Sequence, residues 1–354
     1  MRLGNTAPID GPLLLQTLAE LPAGAADERA VADVLGGLPG VADDVWTDAV
    51  GNVVLHRAGP GPKVMLMAHM DEVSLLVRDV DDQGLIWLVQ ASGFDQRTLV
   101  GQEVVVRGRE ALPGVIGSVP PHLTSAAERN QSAPLDALFV DIGLQAARTR
   151  ELVAVGDRVT LRRPVVPLLG SRMAGKALDD RAGVTAMVLC MEALGAQEVT
   201  ADVYAVATVQ EEVGSPGAVV AATALRPDIA VALDVCHGDM PGVPPRLGLP
   251  LGAGPTIGIG PHVHSKVFAR LRDVATEGGL PFQVEVSPGA TDTDADPVAI
   301  ANGGVATGLV SIPLRYMHTA TEVVDYADLT AAAGILARFV ASIDAMFLED
   351  LACY

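Results

Sequence analysis

The chain of 354 residues has only three cysteines, Cys190, Cys236 and Cys353, widely spaced and odd in number. This excludes a disulfide framework, and all three read as structural bystanders. Basic residues are outnumbered, with 24 Lys and Arg against 43 Asp and Glu and a net charge of −19. Such a balance argues against non-specific binding to nucleic acid or to anionic membranes. It would instead draw a cationic group if acids line a cavity. No uninterrupted apolar run reaches the length of a bilayer span. The N-terminus lacks the basic lead, apolar core and small-residue cleavage site of a secretory signal, so a cytoplasmic location is expected. Repeats of solenoid length are absent as well.

What is present is an apolar fraction of 49% in a chain long enough for one large domain or two. Residues 11 to 36 read as helical, with apolar positions at Leu13, Leu14, Leu18, Leu21, Val31, Val34 and Leu35. Trp46 to Leu55 and Lys63 to Met67 read as strands. From 73 to 165 the pattern changes to short β-like runs separated by Gly, Pro and Asp turns, with one helix expected near Gln145–Leu152. A polar loop, residues 120–134, sits in its middle.

After Pro167 strands and helices alternate. A helix follows Asp179-Asp180, strands cover Val203–Val209, Ile229–Leu233, Phe282–Val286 and Thr307–Leu314, and a long helix closes the chain. The expected fold is therefore α/β, a mostly parallel sheet flanked by helices, with an inserted β-rich unit. The boundaries drawn are 1–72 with 166–354, and 73–165 for the insertion.

The stretch Tyr204–Ala218 ends an apolar, β-branched run on two adjacent carboxylates, Glu211 and Glu212. A buried strand that ends in charge calls for a partner such as a metal. His69, Glu211/Glu212, Asp234 and His318 all follow predicted strands, the edge where open α/β sheets place their sites. Asp179 lies in a turn before a helix. Two His and three acids suit a pair of divalent cations of the Zn or Co type. Taken singly, His69-Met70-Asp71 is an ordinary surface pair, Glu211-Glu212 a solvated face, and Asp179-Asp180 a helix cap.

Seven stretches carry a closer likeness: A-H-M-D-E-V (68–73), G-V-I-G-S-V-P-P-H-L (114–123), F-V-D-I-G (139–143), A-L-D-D-R-A-G (177–183), Q-E-E-V-G-S-P-G-A (210–218), L-D-V (233–235) and H-T-A-T-E-V-V-D (318–325). In combination they resemble the dinuclear tetrahedral aminopeptidases, a family of glutamyl and deblocking aminopeptidases that includes proteins labelled endoglucanases. The resemblance implies His69, Asp179, Glu212, Asp234 and His318 as metal ligands, with Asp179 bridging. Asp234 and His69 would share one metal, Glu212 and His318 the other. It implies Glu211 as general base, Asp71 as the acid that orients His69, and a cis peptide between Asp179 and Asp180. Arg315 and Glu322 would support His318.

The implied activity is removal of N-terminal residues from short peptides by a hydroxide that bridges two divalent ions. The implied assembly is a homododecamer built from dimers through an inserted β-barrel, PDZ-like unit. Ser74, Cys236 and the acidic run 291–296 depart from the family pattern without removing a ligand. The competing readings are a deacylase or carboxypeptidase of related fold, an endoglucanase, and an inactive structural relative. The H-M-D-E start and the inserted β unit count against the first, and the lack of an obvious pair of metal-free carboxylates counts against the second.

Overall fold

The computed structural model describes residues 8–125, 131–244 and 247–351. Cys353 and part of the polar loop at 120–134 lie outside them.

Two helices, α1 (Gly11–Glu20) and α2 (Arg29–Gly36), occupy the expected helical stretch. Pro22 separates them, because it has no N–H to continue the helix. The Asp10 side chain caps α1 by accepting from Leu13 N at 3.1 Å. Leu14, Leu15 and Leu18 are its buried face, while Leu13, an expected core position, is 58% exposed.

The single strand expected from Trp46 to Leu55 is an antiparallel hairpin, β1 (Asp44–Thr47) and β2 (Val53–Arg57). Asp48 causes the reversal: its Oδ1 accepts from the amides of Val50, Gly51 and Asn52, each at 3.0 Å. Next comes β3 (Lys63–His69), buried from Val64 onward.

Six strands then close a barrel: β4 (Leu75–Val80), β5 (Ile86–Gln90), β6 (Glu103–Arg107), β7 (Ala111–Gly117), β8 (Phe139–Asp141) and β9 (Arg158–Leu161), with α3 (Ala146–Leu152) between the last two. The order around the barrel is β4-β5-β8-β7-β6-β9, every pair antiparallel. Val77, Leu88, Val104, Val106, Ile116, Val140 and Val159 fill it. Closure leaves no unpaired edge.

The remainder comprises β10 (Val166–Pro167), β11 (Arg172–Gly175), α4 (Leu178–Leu194), β12 (Asp202–Thr208), α5 (Pro216–Leu225), β13 (Ile229–His237), β14 (Thr256–Ile259), α6 (Ser265–Glu277), β15 (Gln283–Val286), α7 (Ala295–Ala299), β16 (Ala306–Arg315), β17 (Glu322–Asp325), α8 (Tyr326–Ala341) and α9 (Ala345–Glu349). The closing helix is thus two. Asp344 starts the second by accepting from Phe347 N at 2.8 Å. Strand β14 and helix α6 go beyond what the sequence pattern predicts.

The large sheet runs β1-β2-β12-β3-β13-β16-β17-β11-β10, with β14 and β15 branching from β16. It is mixed. The central strands β12, β3, β13 and β16 are parallel, and both flanks are antiparallel. Parallel strands need both faces covered, which explains why these four are apolar almost throughout. Thr208 pairs with His69, and Ala232 pairs with Met67. Two further residues along β13 bring Asp234 level with His69. Strand β13 does not end at Leu233 as expected but continues to His237; it is β3 that stops, which uncovers Asp234 on that side.

Candidate metal centre

The carboxyl ends of the central strands gather the predicted residues in one place. His69 is 2% exposed, with Nε2 3.1 Å from Asp179 Oδ1. The other oxygen of Asp179, Oδ2, lies 3.4 Å from His318 Nε2, and that nitrogen is 3.7 Å from Glu212 Oε1. Asp179 therefore stands between two imidazoles, one oxygen toward each. Ligand atoms of His69, Asp179 and Glu212 lie within 4.8 Å of one another, as do those of His69, Asp180 and Asp234.

Asp71 holds this arrangement from behind. His69 Nδ1 is 3.1 Å from the Asp71 carbonyl and 3.4 Å from its Oδ1, which leaves Nε2 turned to Asp179. The same carboxylate accepts from Glu211 N at 2.9 Å and Glu212 N at 3.2 Å. One side chain thus positions an imidazole and the turn that presents two glutamates.

Glu322 does the equivalent on the opposite side. It is 1% exposed; Oε1 accepts from His318 N at 2.9 Å, and Oε2 accepts from Leu178 N at 2.8 Å and Asp179 N at 3.2 Å. Arg315, the other expected support for His318, is turned away. Its Nε donates to the Asp239 carbonyl at 2.5 Å and its Nη2 to Asp239 Oδ1 at 2.6 Å.

The local backbone is unusual at each of these points. The peptide between Asp179 and Asp180 is cis. Ala177, Gln210 and His318 take left-handed conformations at φ 53°, 61° and 60°, which side chains other than glycine rarely adopt. Gly183 is required by packing, since a Cβ there would collide with the Asp180 carboxylate. A Cβ at Gly93, on the loop after β5, would lie 3.0 Å from His318 Nδ1.

Electrostatics show what the cluster calls for. Burial raises Glu211 to about 7 and Glu212 to about 10, helped by the like charge of Asp179 on both. Burial also raises Asp234 well above the usual carboxylate range, and the like charge of Asp180 adds to it. Burial works against ionised Asp179, but His318 and His69 more than offset it and hold that carboxyl low. Glu212 Oε1, Asp180 Oδ2 and Asp294 Oδ1 are buried without a hydrogen-bond partner. Buried acids with unpartnered oxygens beside two imidazoles are a donor set that fits divalent cations.

Pattern reasoning missed part of the site. Asp180 was expected only to cap α4, and its Oδ1 does accept from Gly183 N at 2.9 Å. A carboxylate oxygen of Asp180 also lies within 4.8 Å of ligand atoms of His69 and Asp234. Asp294, from the acidic run, accepts from Thr208 Oγ1 at 2.6 Å and is buried beside the site. A buried ion pair, Lys176 Nζ on both oxygens of Glu72 at 2.8 Å, joins the segments that carry Asp179 and Asp71. None of the three carries a distinctive spacing.

A cleft of about 830 Å³ opens over Asp179, Glu211, Glu212, Asp234 and His318. The sequence model of the M42 glutamyl aminopeptidases matches residues 51–335. The chain belongs to that family. It is 37% identical over 298 residues to the lysyl aminopeptidase of Pyrococcus furiosus, covering 82% of this chain and 85% of that protein. The fold matches an aminopeptidase from the archaeon Desulfurococcus kamchatkensis with a TM-score of 0.90 and 35% identity, over 97% of this chain and 98% of that one. It also matches PhTET1-12s, solved as a dodecamer, with a TM-score of 0.82 and 28% identity over 94% and 99% of the two chains. As an M42 member the protein is a metallo-aminopeptidase, a hydrolase.

Proposed function

We propose that this M42 aminopeptidase works with two divalent cations, Zn or Co, held by five side chains. Asp234 and His69 take one, Glu212 and His318 take the other, and Asp179 spans both. The observation that carries this reading is the placement of Asp179, one oxygen 3.1 Å from His69 Nε2 and the other 3.4 Å from His318 Nε2. Bound there, the cations would supply Lewis acidity, lowering the pKa of water and polarising the scissile carbonyl.

The protein's own groups supply the rest. Glu211 is the general base; it stands free of the ligand set and would carry a proton on its carboxylate to the leaving amine. Ser215 Oγ donates to Glu211 Oε1 at 3.4 Å and restricts where that oxygen points. Asp71 keeps His69 in one tautomer by bonding its Nδ1, as carboxylate–histidine pairs do at metal sites. The acid-rich cleft receives the free α-amine of a short peptide, which confines cleavage to the N-terminal residue.

The barrel, drawn as residues 73–165, serves as the dimerisation unit, and 1–72 with 166–354 as the catalytic unit. Dimers joined in this way would build a homododecamer, twelve subunits as in the dodecamer of PhTET1-12s, and the location proposed is the cytoplasm. Among the described residues no helix is long and apolar enough to cross a membrane.

The test combines metal content with turnover. Protein loaded with Zn or Co should hold two equivalents per chain and release p-nitroaniline from free-amine aminoacyl substrates. Asp179→Asn should hold fewer. One equivalent in the loaded wild type, or release from N-acylated substrates only, would overturn the reading.

A further inference from the structure

The cleft contains more acid than the proposed cations require. Seven carboxylates line it, and among the described residues none of the lining side chains is Lys or Arg. Four of the seven are the proposed ligands and base. The outer three are Glu285, Asp292 and Asp296. Asp296 is already engaged, because Oδ1 pairs with His262 Nδ1 at 2.9 Å and both oxygens accept from the loop amides of Thr291 and Asp292. Asp292 sits on the exposed rim, its carboxylate without a hydrogen bond or ion pair among the described residues.

Glu285 is different in kind. It projects from β15, the outermost strand of the branch that walls the cleft, and is half-buried. Its Oε2 accepts from Thr256 Oγ1 at 2.9 Å, and the Ser311 hydroxyl and Cys236 thiol lie close to the same carboxylate. These groups come from β14, β16 and β13, so three strands surround one acid and the one from β14 holds it by a hydrogen bond. A carboxylate offers about four acceptor positions, and the bond from Thr256 takes one of them. What is left opens toward the cleft.

An acidic side chain entering this cleft would need a cation to meet it. Arg315 is the nearest candidate by position in the chain, and Asp239 holds it outside the lining. His262 is tied to Asp296. His237 also lines the cleft beside Glu285, so the outer wall holds acids and imidazoles but no Lys or Arg, at a place where a long side chain fits.

We infer that Glu285 is a specificity-determining residue, and that the cleft selects peptides whose N-terminal side chain is cationic, lysine or arginine. This rests on the aminopeptidase reading, and Asp292 adds long-range attraction at the rim. The selection acts by pairing the side-chain cation with an acid already held in place.

The experiment uses the full-length, metal-loaded protein with Lys-, Arg-, Leu- and Glu-p-nitroanilide. Wild type should show kcat/KM for Lys and Arg about tenfold or more above Leu and Glu. The preference should shrink as salt is raised, since screening weakens the attraction. Glu285→Gln keeps the acceptor for Thr256; it should cut Lys and Arg turnover by about tenfold while Leu changes by less than about twofold. If that variant melts early, Asp292→Asn on the rim carries the test through its loss of salt-sensitive preference. Equal rates for Lys and Leu in wild type would overturn the inference, as would a Glu285→Gln variant that slows all four substrates alike. Release from N-acylated substrates only would instead overturn the aminopeptidase reading.

Discussion

Asp71 grips Glu211 by its backbone, Oδ1 to N at 2.9 Å, while touching His69 on the other side. The carboxylate is fully buried, so its two tasks cannot be shared with solvent. Asp71→Asn puts a donor where one amide needs an acceptor. We expect kcat/KM to fall by about 10–100-fold and stability by about 1–3 kcal/mol. Kinetics with thermal melts would check this, and a variant within about twofold of wild type would refute it.

Glu211→Gln removes the proton carrier and leaves every proposed ligand in place. Metal content and melting temperature should match wild type, with kcat lower by about 10²–10⁴-fold. A comparable loss of metal would show instead that Glu211 is a ligand.

Glu322 links the His318 loop to the segment carrying Asp179 through three backbone amides. Glu322→Ala leaves those buried donors without partners, at about 1–3 kcal/mol each. Metal affinity measured by calorimetry should drop with stability, although Glu322 is not one of the proposed ligands. Unchanged affinity in a folded Glu322→Ala protein would contradict the link.

Metal removal should change how stability responds to pH. With no cation, burial holds Glu211 at about 7, Glu212 at about 10 and Asp294 at about 6. Carboxylates in an unfolded chain titrate near ~4. The folded state therefore binds more protons, and the stability this contributes is full below about pH 4 and fades as pH rises through the folded values. Chelator-treated protein should melt lower at pH 8 than at pH 5.5, and added Zn should raise the melting temperature more at pH 8. A chelated protein that melts higher at pH 8 would count against these assignments.

The ends of apolar runs marked His69, the two glutamates, Asp234 and His318 because buried parallel strands leave a strong compositional trace. The barrel was legible for a different reason: short alternating strands need frequent turns. Glu103–Arg107 and Arg158–Leu161 fall where the pattern placed them. The hairpin at Asp48 was hidden because its apolar residues continue through the turn, and only side-chain-to-amide bonds reveal it. Asp180, Asp294 and the Lys176–Glu72 pair were not legible as site components. Their roles come from which carboxylates share a buried space, and no local spacing encodes that. The continuation of β13 past Asp234 was likewise invisible, since it depends on where the neighbouring strand stops.

His69, Thr208 and Asp234 stand in one row across three adjacent strands. The strands thereby act as a ruler for the chemistry. Deleting one residue between Lys63 and His69 would turn the imidazole to the opposite face of the sheet, and deleting two would retract it by about 7 Å. Length changes at an exposed turn tip such as Asp82–Gln83 leave that row untouched. Tolerance to insertions and deletions should therefore divide sharply along the chain, with the central strands allowing none and the barrel turns allowing several.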